Sequence, residues 1–99
     1  MKTERSLELY ERANRSHAGG VSSNGRDQPL PLFFDHGKGS RLFDVDGNEF
    51  IDYNLARGPL VHGHSPDFLL DNVDRHMRRG QMYGGMHELE ITVSEKIQS

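Results

Sequence analysis

Apolar residues along the chain recur first at helical spacing, then in alternation, then at helical spacing again. Leu7, Tyr10 and Ala13, with Leu9 beside them, form a narrow stripe that predicts a helix over residues 3 to 16. Thr3 stands where an N-cap is wanted, Glu4 suits the positive end of the dipole, and Gly19-Gly20 stops the helix. A helix of this length is marginal alone in water, and the sequence shows no surface for it to lie on. Residues 19 to 31 hold Gly, Ser, Asn, Asp and two Pro, and read as a loop. Three short runs follow: Leu32-Phe33-Phe34-Asp35-His36, Arg41-Leu42-Phe43-Asp44-Val45 and Glu49-Phe50-Ile51-Asp52-Tyr53. Gly37-Lys38-Gly39-Ser40 and Asp46-Gly47-Asn48 turn them into an antiparallel meander. After a Gly/Pro/His segment, a second helix is expected with Ser65 as N-cap and Pro66 at its first position. Leu69, Val73 and Met77 fall at i, i+4 and i+8, Leu70 joins them, and Gly80 follows Arg78-Arg79 as terminator. A last helix starts near His87 with Leu89, Val93 and Ile97 in register, and carries no C-cap. The expected fold class is α+β: a helix, a three-stranded antiparallel meander, then two helices.

Composition leaves little with which to build a core. Leu, Ile, Val and Phe number 23 of 99 residues, just above the level at which chains stop folding. A chain of this size buries only about 60–65% of its unfolded surface, so the core is thin and the sequence reads as part of a larger fold. Twelve Lys and Arg against fifteen Asp and Glu give a net charge of −3 with both signs scattered. That argues against nucleic acid as a partner. Cysteine is absent, which excludes disulfides and thiolate chemistry. No run of 18 apolar residues predicts a membrane span, and the polar first twenty residues hold no signal-peptide core. A cytoplasmic location is expected.

Candidate chemistry is sparse. Asp44-x-Asp46-Gly47 followed by Glu49 suggests a calcium loop, but Leu42 and Tyr53 stand where acids would be needed, and a hairpin turn is favoured. His62-Gly63-His64 lacks a third metal ligand at suitable spacing, so a structural role near the Ser65 cap is favoured. Gly37-Lys38-Gly39-Ser40 has no helix after it and is a turn rather than a phosphate loop. Met77, Met82 and Met86 read as core filler. Ser23-Asn24-Gly25-Arg26 presents an arginine in a Gly/Ser loop, able to offer a bidentate fork to a carboxylate, and Arg57 before Gly58-Pro59 is a second loop arginine. On spacing alone, a solvated surface arginine is favoured at both positions.

The order of these pieces is more particular than any one of them. Leu9-Tyr10-Glu11-Arg12-Ala13, Gly19-Gly20-Val21-Ser22-Ser23, the run from Gly39 through Asp44-Val45-Asp46-Gly47-Asn48 to Tyr53, Gly58-Pro59-Leu60, Gly63-His64-Ser65-Pro66 and Gly84-Gly85-Met86-His87-Glu88-Leu89-Glu90 occur in one sequence. Together they resemble the N-terminal segment of class-III aminotransferases, pyridoxal-phosphate enzymes of fold type I, and most of all the glutamate-1-semialdehyde aminomutase-like branch. The resemblance implies an arm helix over residues 1–20, a small-domain meander with a substrate loop over 21–64, and over 65–99 the first helices leading to a large cofactor-binding domain. It implies that Ser23 and Arg26 bind the substrate carboxylate. It also implies pyridoxal 5'-phosphate as cofactor, amino-acid and oxo-acid substrates, and a homodimer in the full-length enzyme. Arg57 stands where the aminomutase pattern has an aromatic residue, which points to a transaminase with a different substrate, such as a β- or γ-amino acid. The cofactor's lysine, its aspartate partner and its phosphate cradle are expected downstream of residue 99, so this chain alone is expected to be inactive. A free-standing, non-catalytic α+β module for dimerisation or partner binding, and a marginally folded product, are the competing readings.

Overall fold

The computed structural model describes residues 1–23, 26 and 28–99. Three α-helices and one three-stranded sheet are present among them: α1 (Glu4–Ser16), β1 (Phe34–Lys38), β2 (Arg41–Asp44), β3 (Glu49–Ile51), α2 (Asp67–Met77) and α3 (Glu88–Gln98). The chain divides into two units, Met1–Pro66 and Asp67–Ser99.

In the first unit the sheet is the expected antiparallel meander, in the order β1-β2-β3. Leu42 pairs with Gly37 on one side and Phe50 on the other, so Leu42 and Phe50 share a face. Phe34 meets Phe50 edge-on at 6.0 Å on that face. On the other face the His36 ring stacks on Phe43 at 4.5 Å, and Arg41 pairs with Glu49 at 3.2 Å. The strands differ in extent from the sequence reading. β1 runs on to Lys38, because the β1–β2 turn needs only Gly39 and Ser40, with Gly39 at φ 57 in the first central position. Leu32 and Phe33 precede the strand, and β3 stops at Ile51, leaving Asp52 to cap the loop that follows.

The β2–β3 turn is organised by side chains. The buried Asp44 carboxylate accepts from the backbone N–H groups of Asp46 (3.0 Å) and Asn48 (2.8 Å) and from the Asn48 amide (2.7 Å), while Gly47 sits at φ 82. This turn corrects the expectation that α1 finds no surface. The Asp46 carboxylate accepts from the backbone N–H of Arg5 (2.7 Å) and Ser6 (2.9 Å), and Asn48 bonds both N–H and C=O of Lys2. Thr3 occupies the N-cap position, but its side chain makes no capping bond; the cap arrives from 40 residues away in sequence. Ser6 is fully buried at this junction, and its hydroxyl accepts weakly from Phe33 N–H at 3.4 Å. Burial pulls the Asp46 carboxyl upward, but the Ser6 hydroxyl and the Arg5 and Ser6 amides outweigh it and hold the group below the usual range.

The second unit contains α2 and α3. Ser65 is not the N-cap of α2: its backbone lies at φ 49 and its hydroxyl donates to Gly37 C=O at 2.9 Å, so the helix opens at Asp67. α2 ends at Met77, and the chain reverses through Gly80 at φ 116. The Tyr83 hydroxyl donates to Arg79 C=O (3.0 Å), its ring stacks on His87 at 5.1 Å, and His87 Nδ1 caps α3 by accepting from Leu89 N–H.

No apolar side chain among the described residues is buried. Leu69, Leu70, Val73 and Met77 on α2 and Leu89, Val93 and Ile97 on α3 are all exposed. Met82 and Met86 are 95% and 83% exposed, so the methionines expected as core filler are not core here. No helix among the described residues is long and apolar enough to cross a membrane.

Candidate functional site

Among the described residues, the loop between β3 and α2 has the longest run of left-handed backbone. Leu55, Ala56 and Arg57 take φ values of 48, 57 and 69, and Gly58 follows at 107. Each left-handed residue with a side chain costs about 1–2 kcal/mol, so such a run persists only where its surroundings over-determine it. Here they do. Asp52 Oδ1 accepts from Asn54 N–H (2.8 Å) and Leu55 N–H (3.1 Å), and Asn54 Oδ1 accepts from Arg57 N–H (2.7 Å). Gly58 N–H donates to the carbonyls of Asn54 and Leu55.

Both ends of this loop are tied to the β1–β2 turn. Asp52 N–H donates to Ser40 C=O at 2.8 Å, and Gly39 and His64 exchange two backbone hydrogen bonds at 2.9 and 2.8 Å. The ends also join each other: His64 Nε2 donates to Asp52 Oδ2 at 2.7 Å, with side chains only 18% and 9% exposed. The His64 bond holds the Asp52 carboxyl below its ordinary range, helped by the Leu55 and Asn54 amides. His64 therefore serves Asp52 rather than a Ser65 cap. Its ring lies so close over Gly37 that a Cβ there would stand 2.6 Å from His64 Cγ.

Ser23, Arg26 and Arg57 are all exposed. Arg26 N–H donates to Ser23 C=O (2.9 Å), and Arg26 Nη1 donates to Ser22 Oγ (3.1 Å), so the guanidinium is steadied by the neighbouring serine rather than by Ser23. Asn24 and Gly25, expected in this loop, lie outside the described residues. Among the described residues no hydrogen bond joins Arg57 to Ser23 or Arg26. Lys2, Lys38 and Lys96 are exposed, and Lys38 Nζ donates to Ser65 C=O at 2.8 Å.

No protein-family model matches the chain. The glutamate-1-semialdehyde 2,1-aminomutase of Persephonella marina is 45% identical over 98% of this chain and 24% of its own length. A transaminase structure with pyridoxal phosphate bound superposes with a TM-score of 0.88 and 32% identity, over 96% of this chain and 23% of that one. In sequence and in fold the chain matches the N-terminal segment of class-III aminotransferases. A β-phenylalanine aminotransferase from Variovorax paradoxus, with a TM-score of 0.80 and 30% identity, matches 87% of this chain and 20% of its own. The chain thus spans about a quarter of the length of the curated relatives it matches.

Sequence reasoning missed the Asp52–His64 pair and the left-handed turn. Asp52-Tyr53-Asn54 carries an Asx-turn signal. Nothing local announces that His64, twelve residues on, closes the loop.

Proposed function

We propose that this segment forms the substrate-carboxylate edge of a pyridoxal-phosphate-dependent aminotransferase. That enzyme moves an amino group between an amino acid, of the β or γ class, and an oxo acid or aldehyde. The observation that carries the reading is the similarity to aminomutases and transaminases along almost the whole chain. Ser23 and Arg26 are assigned to the substrate carboxylate, with Arg26 steadied by Ser22 and its planar guanidinium suited to a bidentate pairing with an anion. Arg57 is assigned to the same substrate, in the place of the aminomutase pattern's aromatic residue. The β-phenylalanine aminotransferase among the structural neighbours supports a β-amino-acid substrate.

The residues present do not fit a covalent cofactor anchor, because all three lysines are exposed and a Schiff-base lysine needs a desolvated setting. Pyridoxal phosphate, where bound, supplies an electron sink. This segment positions substrate and leaves that chemistry to other residues, so the 99-residue chain alone is inactive. The full enzyme is read as a cytoplasmic homodimer. A 2,1-aminomutase is the second reading, favoured by the names of curated relatives that the chain matches.

In the holoenzyme carrying this segment, Arg26→Ala should raise KM and lower kcat for a carboxylate-bearing donor. Losing a charge-assisted hydrogen bond amounts to roughly 10- to 150-fold in kcat/KM. Arg26→Lys should recover part of it. Unchanged kinetics in Arg26→Ala would refute the assignment, and a product with its amino group moved within one molecule would establish the second reading.

A further inference from the structure

Building on the assignment of Arg57 to the substrate, we infer that Asp52 and His64 are positioning residues whose hydrogen bond holds the left-handed turn Leu55–Gly58 in the form that presents Arg57. The loop from 53 to 63 departs from the Gly39-Ser40 hairpin at Asp52 and returns to it at His64. The Asp52–His64 bond of 2.7 Å closes the loop between those points. One carboxylate does both jobs: Oδ2 accepts from His64, while Oδ1 accepts from the amides of Asn54 and Leu55 that open the turn. Asn54 continues the chain of bonds to Arg57 N–H. A continuous path therefore runs from His64 through Asp52 and Asn54 to the backbone of Arg57. Without it the run Leu55-Ala56-Arg57, at φ 48, 57 and 69, keeps only the backbone bonds from Arg57 and Gly58 N–H to the Asn54 and Leu55 carbonyls to offset its strain. Glycine at position 37 is part of the device, since a Cβ there would meet the His64 ring.

The test uses the holoenzyme carrying this segment, with backbone hydrogen exchange and steady-state kinetics as separate readouts. His64→Ala and the near-isosteric Asp52→Asn should speed exchange at Arg57 and Gly58 on the order of tenfold. Both should raise KM for a carboxylate-bearing donor while leaving KM for an amine without a carboxylate unchanged. Adding Ala56→Gly, which adopts the left-handed backbone without strain, should restore part of the lost KM in either variant. His64→Ala combined with Arg57→Ala should cost no more than Arg57→Ala alone. Unaltered exchange at Arg57 and Gly58 would overturn the clasp. Faster exchange with unchanged KM, in an enzyme that Arg57→Ala does impair, would overturn the positioning role. If Arg57→Ala itself leaves KM untouched, the assignment of Arg57 falls, and the exchange data still judge the clasp independently.

Discussion

Gly37→Ala is the smallest change that should unseat the Asp52–His64 bond without touching either partner. A Cβ at position 37 would lie 2.6 Å from His64 Cγ, 2.9 Å from its Cβ and 2.9 Å from Nδ1. These are not the far end of a flexible side chain, so a rotamer change cannot relieve the clash. The His64 backbone must move, yet it is bonded both ways to Gly39. Forcing a methyl into such a contact costs about 1–3 kcal/mol, which corresponds to roughly 5- to 150-fold faster exchange at the His64 and Gly39 amides. Gly39→Ala is the matched control. A Cβ there meets nothing within 4 Å, but the residue sits at φ 57, so the penalty is backbone strain of about 1–2 kcal/mol in the hairpin. Proton NMR of the hydrogen on His64 Nε2, with amide exchange, separates the two. Gly37→Ala should lose the resonance of the bonded proton, and Gly39→Ala should keep it. Retention of both that resonance and the amide protection in Gly37→Ala would refute the close-approach argument.

Two further outcomes are expected. Asp46 and Asp52 both titrate below their ordinary range, so each stabilises the fold above the unfolded carboxylate pKa of about 3.9 and loses that contribution as pH falls through its lower native value. Circular dichroism of α1 and exchange at Arg5 and Ser6 should accordingly stay flat from pH 7 to 5 and decline only below about 4, with Asp46→Asn shrinking the pH step; a step between pH 7 and 5 would assign it to other groups. Incubating the 99-residue chain with pyridoxal phosphate and borohydride should give no stoichiometric, site-specific adduct by mass spectrometry, because Lys2, Lys38 and Lys96 are all exposed, and such an adduct would overturn the claim that none is competent.

What the sequence made legible follows the range of the interactions involved. Helical periodicity and Asp-Gly turn chemistry are local signals, and α1, the meander order and α3 with its start beside His87 follow from them. The details that failed are those in which a local rule lost to a distant partner. Thr3 was a reasonable cap by type, but Asp46 brings a charged carboxylate to the same amides. Ser65 was a reasonable cap too, but Gly37 C=O takes its hydroxyl and its backbone turns left-handed. Tyr53 fits a strand by composition, yet Asp52 ends β3 because its carboxylate is committed to the next turn and to His64. Ser23, Arg26 and Arg57 were named from a resemblance, and the structure adds Ser22 as the residue that bonds the Arg26 side chain.

These distant partners share a character that bears on the site. Asp46, Asn48, Asp52 and His64 act through hydrogen bonds to residues distant in sequence, in a segment where no described apolar side chain is buried. Each such bond adds only about 0.5–1.5 kcal/mol net, too little to stand in for a core, but each has a direction and a length that packing alone does not specify. The segment is therefore better suited to fixing where a few backbone groups lie than to holding a domain together. That division fits the roles argued for Ser22 and for the Asp52–His64 pair. On the roles proposed for Arg26 and Arg57, a substitution that breaks one of these short polar ties should change how substrate is held before it changes whether the chain folds.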